Sequence, residues 1–320
     1  MNRFRAQVSS ALEAMAIGPS GSAAWCGRRL ARTPRGLPAA AARAYLAAVA
    51  EQVLYEAFYC PGAPIPWSPD ARASEPGRDP AFVDALAAAN AGSGCWAGGW
   101  RVDGRRGDAL VLGRNGLQIT AEPSQVRIDG TGAQIRLPKE LRFASPGHYI
   151  ALGDLDLPAA SEYPLLRVYF HVVPSEAARL VGLVTSSLND LGVAFRLKVV
   201  DAPEQFGRCD AAVLYVRASD FDALRPVLRG LAARVGMRER TPALTKPIRP
   251  GIGLAEDPAS GESFGMHRCG LLARGIVEAQ VAGATRPGDR LAVVERHFAA
   301  HGIDLEAPYL RPASPDGYAL

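Results

Sequence analysis

Residues 165–200 read LLRVYFHVVPSEAARLVGLVTSSLNDLGVAFRLKVV, two alternating stretches either side of an amphipathic run. Successive side chains of a strand point to opposite faces. In the first stretch Val168, Phe170 and Val172 therefore share one face, and Arg167, Tyr169 and His171 share the other. In the second, Phe195, Leu197 and Val199 oppose Arg196 and Lys198. The pattern predicts a strand over Leu165–Val173, a helix over Glu176–Leu191 carrying Leu180, Leu183, Val184 and Leu188, and a strand over Val193–Val200. Such a unit buries one sheet face under its helix and leaves the other face cationic. If the two strands neighbour each other across the crossover, their polar faces merge into a patch of Arg, Tyr, His, Arg and Lys suited to a dianionic phosphate.

A third strand over Ala211–Val216 and a helix over Phe221–Val235 follow, then a polar Gly/Pro-rich segment, TPALTKPIRPGIGLAEDPASGESFGMHRCG, and a last pair of helices. A stretch that long without regular structure is expected to be a functional loop. In the first half, helical spacing covers Ala39–Phe58 and Pro80–Asn90, and the first ~60 residues read as helical. Pro61–Asp79 reads as a long loop, and short runs between Gly and Asn turns over Trp100–Val126 as a small antiparallel meander. The expected class is α+β: N-terminal helices with a small antiparallel sheet, then a mixed α/β sheet domain with a βαβ unit. A junction within Pro138–Ser161 divides the chain into residues 1–155 and 156–320, the first a candidate wall of a peptide groove lined by Tyr59, Trp67, Trp96 and Trp100.

Thirty-six basic and 32 acidic residues, net +4, are dispersed without basic blocks, which disfavours nucleic acid as a partner. Five scattered cysteines with no CxxC pair read as free thiols in a reducing cytoplasm. The N-terminus lacks an export segment, and no run approaches a membrane span.

Lys198 is the candidate base. A neighbouring cation, Arg196, and partial burial both favour its neutral form; the competing reading is a solvated sheet face. A lone histidine on a strand, such as His171, is more often a hydrogen-bonded structural residue than a catalytic one. The Gly/Pro-rich segment adds Lys246, Arg249, His267 and Arg268, with Gly251, Gly253, Gly261 and Gly265 allowing backbone N–H groups to face an anion. Glu256 and Asp257 read as turn residues rather than metal ligands. Neither a phosphate-binding lysine loop nor a kinase catalytic loop is present.

The run RVYFHVVPSEAARLVGLVTSSLNDLGVAFRLKVV, followed by RCDAAVLYV and GIGLAEDPASGESFGMHRC, resembles the type III effector HopA family, over most of residues 160–320 and more weakly at YEAFYCPGAPIP and ANAGSGCWAGGW. Members also occur in bacterial gene clusters for lanthionine- and thioamide-containing peptides. The resemblance implies a cytoplasmic phosphoserine/phosphothreonine lyase, free of metal or organic cofactor. It would act on a precursor peptide phosphorylated by a separate kinase-like protein and leave dehydroalanine or dehydrobutyrine. Such chemistry needs a base for the α-proton, donors for the carbonyl and cations for the leaving phosphate. Lys198 is assigned as base; Arg167, Arg196, Arg208, Lys246, Arg249 and Arg268 form the pool of phosphate and substrate contacts. His171 or His267 is the acid, and Tyr169 or Tyr215 orients the carbonyl. Two other readings stay open: a non-catalytic protein that docks a leader peptide or the kinase, and an effector-like protein acting on a host target.

Overall fold

A computed structural model describes residues 2–18, 20–67, 77–130, 132–157, 163–258 and 260–320. Parts of the predicted loop (68–76) and of the predicted junction (158–161) lie outside the described residues.

The chain opens with α1 (Arg3–Ala14), capped by the Asn2 side chain, and a three-stranded antiparallel sheet of β1 (Met15–Ile17), β2 (Ser22–Trp25) and β3 (Arg28–Arg32). These strands correct the helical reading of the first ~60 residues. They are three to five residues long and rich in Ala and Arg, too short for alternation to register. Helix α2 (Ala39–Leu54) continues into a π-helical turn, Tyr55–Tyr59, closed by the Cys60 N–H donating to the Tyr55 carbonyl. Helix α3 (Pro80–Ala89) starts with Pro80 at its first position and the Asp79 side chain accepting from the Phe82 N–H.

The predicted meander is a five-stranded antiparallel sheet of β4 (Trp96–Arg106), β5 (Ala109–Arg114), β6 (Leu117–Ala121), β7 (Val126–Asp129) and β8 (Gly132–Arg136), in the order β6-β5-β4-β8-β7. It closes over its own small core, which includes Trp100, Leu110, Leu112 and Ile135.

The main sheet has seven strands, all paired antiparallel. Its members are β9 (Glu140–Leu141), β10 (His148–Leu152), β11 (Leu165–Phe170), β12 (Phe195–Val200), β13 (Ala212–Arg217), β14 (Lys246–Arg249) and β15 (Ile252–Glu256), in the order β14-β15-β11-β13-β12-β10-β9. Helix α4 (Ala177–Asp190) connects β11 to β12, and α5 (Phe221–Arg234) follows β13. The β11-α4-β12 unit is a split crossover: its two strands run parallel, but β13 is inserted between them and pairs with both. The expected boundary at 155/156 falls just after β10, so strands from both sides of it share this sheet. One hydrophobic core likewise runs from Phe4 to Tyr318.

The Gly/Pro-rich segment is not one continuous loop. β14 and β15 form a hairpin on the sheet edge, turning at Gly251 with φ +72°, where any Cβ would collide with the Arg238 carbonyl. Pro247 sits in the outermost strand, where a missing N–H costs no ladder bond. The segment then enters α6 (Phe264–Val281), and α7 (Pro287–Ala300) completes the chain's helices.

The C-terminal stretch is fastened back onto the sheet. Glu256, 1% exposed, accepts from the Arg311 N–H and from the hydroxyls of Ser314 and Tyr318. Arg268, equally buried, donates to the carbonyls of Pro308 (2.7 Å) and Leu310 (2.8 Å). Arg268→Met removes both donors and leaves two buried carbonyls unpaired. Its unfolding free energy should fall by roughly 2–3 kcal/mol, read from urea denaturation, with residues 304–320 becoming the first site of proteolysis.

Candidate active site

The alternation that shaped the sheet also sorts its faces. Leu166, Val168, Phe170, Leu197, Val199, Leu214 and Val216 form the apolar face and are buried in the main core. Register puts Arg167, Tyr215 and Arg196 in one row across β11, β13 and β12, and Tyr169, Val213 and Lys198 in the next. His148 of β10 pairs with Val200 and so projects on this same polar face.

The π-helical turn and the start of α6 cover that face. Tyr55 and Tyr59 stack with ring centroids 5.5 Å apart, and Tyr59 meets Tyr169 edge-on. Gly265 is what lets the helix approach: a Cβ there would overlap the rings of Tyr59 and Tyr55. Ser263 caps α6 by accepting from the Met266 N–H, leaving the N–H groups of the first turn, at Phe264 and Gly265, without intrahelical partners and pointing out of the helix start.

Between sheet and cover lies a cavity of about 130 Å³, room for several waters. Lys198, Arg167, Tyr169, Tyr215 and His148 line its sheet side; Arg208 and Asp210, on the loop leading into β13, line one end; Tyr55, Tyr59, Ser263 and Gly265 line the other side.

Each cation but one has an anion. Arg208 donates to Asp210 (2.8 Å), to the Tyr55 hydroxyl (2.9 Å) and to Cys60 Sγ (3.2 Å). Burial would raise the Asp210 carboxyl, but the charge and hydrogen bonds of Arg208 outweigh it and hold the group below its usual range. Arg167, 9% exposed, donates to Asp257 (2.7 Å) and to the Glu262 carbonyl (3.1 Å) and sits 5.2 Å from the Tyr215 ring. Lys198 is half-buried, and among the described residues no acceptor lies within hydrogen-bonding or ion-pair distance of its Nζ. Its pKa is lowered from 10.5, first by burial and then by the Arg208 charge, with Asp210 opposing and Arg167 adding to the depression. Arg196, expected to do this, is exposed and belongs to a neighbouring crevice.

His148 Nδ1 lies 2.9 Å from the Pro146 carbonyl. A carbonyl only accepts, so Nδ1 carries the proton and Nε2 presents a lone pair. Burial, then the Lys198 charge, pull this imidazole down to about 4. Tyr55, Tyr59 and Tyr169 are all pushed above the normal phenol range, first by burial, and serve as neutral hydroxyls.

Of the residues expected from sequence, the cavity brings together Lys198, Arg167, Tyr169, Tyr215 and Arg208. The others lie elsewhere. His171 follows β11 on the correct face but beyond the cavity, with Nδ1 against the Arg240 carbonyl (3.1 Å). His267 faces Arg268 on α6, and its pKa is lowered to about 4 by burial and by that guanidinium. Arg268 is consumed by the C-terminal carbonyls, Lys246 pairs with Asp316 (2.6 Å), and Arg249 is exposed on the edge strand. Of the four groove aromatics, only Tyr59 reaches the cavity; Trp67 bonds Glu56, and Trp96 and Trp100 stack with Arg127 and Arg114 in the five-stranded sheet. Sequence reasoning missed His148, Asp210, Tyr55, Ser263 and the role of Gly265. Asp210 carries a signal in hindsight, as an acid two residues from Arg208 at a strand entrance. Among the described residues no cluster of three His, Cys, Asp or Glu has the arrangement of a metal site, and no helix is long and apolar enough to cross a membrane.

The HopA1 effector protein family model matches residues 142–310, which include every sheet and α6 residue of the cavity. The chain belongs to this family. Two solved structures resemble it: the effector protein from Pseudomonas syringae pv. tomato strain DC3000, with 18% identity, a TM-score of 0.48 and coverage of 85% of this chain and 96% of that one; and the effector protein from Pseudomonas syringae pv. syringae strain 61, with 15% identity, a TM-score of 0.42 and coverage of 81% and 88%. A search of curated protein sequences finds no match. Only the Tyr55–Tyr59 turn and its neighbours supply cavity residues from outside the matched span of this HopA1-family chain.

The sequence has three lysines, Lys139, Lys198 and Lys246. Lys139 donates to the Ala87 and Asn90 carbonyls and Lys246 pairs with Asp316, so Lys198 is the one with a lowered pKa and a free amine. Reductive methylation with formaldehyde at pH 8 should modify Lys198 first, by peptide mapping, and inorganic phosphate should protect it. Equal labelling of the three would show that Lys198 is an ordinary surface amine.

Proposed function

We propose that this chain is a phosphoserine/phosphothreonine lyase acting on a precursor peptide in the biosynthesis of a lanthionine- or thioamide-containing peptide. A separate kinase-like protein supplies the phosphorylated substrate. The observation that carries this reading is the unpaired, desolvated Lys198 amine inside a cavity also lined by Arg167, Arg208 and the N-terminus of α6.

The reaction follows from those groups. Neutral Lys198 removes the α-proton; the C–H electron pair becomes the Cα=Cβ double bond; the Cβ–O bond breaks and its electrons leave with the phosphate. Tyr215 or Tyr169 donates to the carbonyl as enolate charge develops. Arg208, Arg167 and the first-turn N–H groups of α6 receive the phosphate oxygens. His148 takes the acid role expected of His171 or His267. A bound phosphate dianion raises its pKa, and Nε2 then carries a proton to the leaving oxygen. The products are a dehydroalanine or dehydrobutyrine residue and inorganic phosphate.

The test is mass spectrometry of a synthetic phosphoserine peptide incubated with the protein and EDTA, without nucleotide. The expected result is loss of one phosphoric acid per site, reduced at least ~100-fold by Lys198→Ala and unchanged by Arg249→Ala, whose side chain lies outside the cavity. No loss, even with the cognate kinase added, would sink the lyase reading in favour of a docking role. The rate should rise with pH as Lys198 loses its proton and level off below pH 10.5, because the pKa is lowered from that value. In Lys198→Ala this rise should disappear.

A further inference from the structure

Next to the cavity, at the β10/β12 end of the polar face, is an apolar crevice of about 190 Å³. Leu137, Leu141, Leu152, Leu155, Leu157 and Phe195 line it, and Arg196 forms its wall. Leu155 is half exposed, an apolar side chain left facing water at the crevice. Its position relative to the cavity is fixed by register. Leu152 pairs with Arg196, which pairs with Tyr215 of the cavity, and Arg196 lies two residues before Lys198 on the same face of β12. Alternate residues of a strand are about 7 Å apart.

An extended peptide has the same period. With one side chain in the cavity, the residue two positions away on the same side of the peptide lies about 7 Å off, over Arg196 and the crevice. We infer that the crevice is a specificity subsite that takes an apolar side chain two residues from the phosphorylated one. This rests on the cavity being the phosphopeptide site. The lining is mostly apolar, with Arg196 and Asp156 as its charged members, so a leucine there buries its side chain and covers Leu155, a gain that an alanine in its place does not make.

Fluorescein-labelled phosphothreonine peptides in an alanine host, with Leu two residues before or after the phosphothreonine or at neither position, test this by anisotropy on the Lys198→Ala protein, which does not turn them over. Leucine at one of the two positions should bind about tenfold tighter than alanine, and Leu155→Asp should remove that advantage. Equal affinities for leucine and alanine at both positions, or a leucine advantage that survives Leu155→Asp, would overturn the subsite. The unphosphorylated leucine peptide separates the two readings. If it binds as tightly as the phosphopeptide, the phosphate site fails while a leucine-sensitive crevice stands. If phosphate tightens binding and leucine does not, the crevice fails alone.

Discussion

The buried pair of Arg208 and Asp210 is the contact on which the rest of the site depends. Taking two charges out of water costs several kcal/mol per ion unless their remaining hydrogen-bonding positions are filled. Here they are filled from a distance in sequence: Tyr55 and Cys60, both on or next to the π-helical turn, bond the same guanidinium. The pair therefore ties the first half of the chain to the main sheet and fixes the stacked tyrosines as a lid over the polar face. It also sets the charge felt by Lys198, since Arg208 is the largest ionic contribution to that amine's lowered pKa, with Asp210 only partly offsetting it.

The sheet face carries the second constraint. Three basic residues on the face, Arg167, Arg196 and Lys198, with Arg208 beside it make four that would repel one another and raise the cost of covering it. The structure resolves this by giving Arg208 and Arg167 a carboxylate each, Asp210 and Asp257, and by letting Arg196 reach solvent. Lys198 is left over. Its neutral form avoids the repulsion without a counter-ion. The lowered pKa of Lys198 is in this sense a consequence of how the other charges were satisfied, and Arg196, its nearest cation in sequence, has little part in it.

Alternation made much of this readable. A period of two over residues 165–173 and 193–200 located the strands, their faces and the polar residues Arg167, Tyr169 and Lys198; helical spacing located α3, α4 and α5. Alternation assigns a face but not a depth, which is why His171 was expected in a cavity that ends one row before it. Residue type could not distinguish Arg268 from Arg208, because the carbonyls of Pro308 and Leu310 that occupy Arg268 arrive forty residues later in the chain. His148, Tyr55 and Ser263 were invisible for the same reason: each comes from a different segment, and only the insertion of β13 and the closure of the π-helical turn bring them together. The hairpin at 246–256 escaped because Pro and Gly, usually signs of a loop, mark here an edge strand and its tight turn.

Charge accounting joins these points to the proposed reaction. With both arginines paired, Lys198 and His148 are the groups whose protonation sets the charge of the cavity. A phosphate dianion brings two negative charges into it and favours the protonated form of both. Proton uptake by Lys198 would remove the base. His148 offers a different place for it: its pKa of about 4 in the empty site leaves Nε2 free at neutral pH, and the hydrogen bond from Nδ1 to Pro146 persists in both protonation states. The group that gains a proton when phosphate enters is then the one able to return it to the leaving oxygen, while the α-proton goes to Lys198. In the proposed reaction, the separation of acid from base rests on two different environments. The Arg208 guanidinium disfavours a proton on the amine, and burial beside that amine disfavours one on the imidazole until the substrate's own charge reverses the balance.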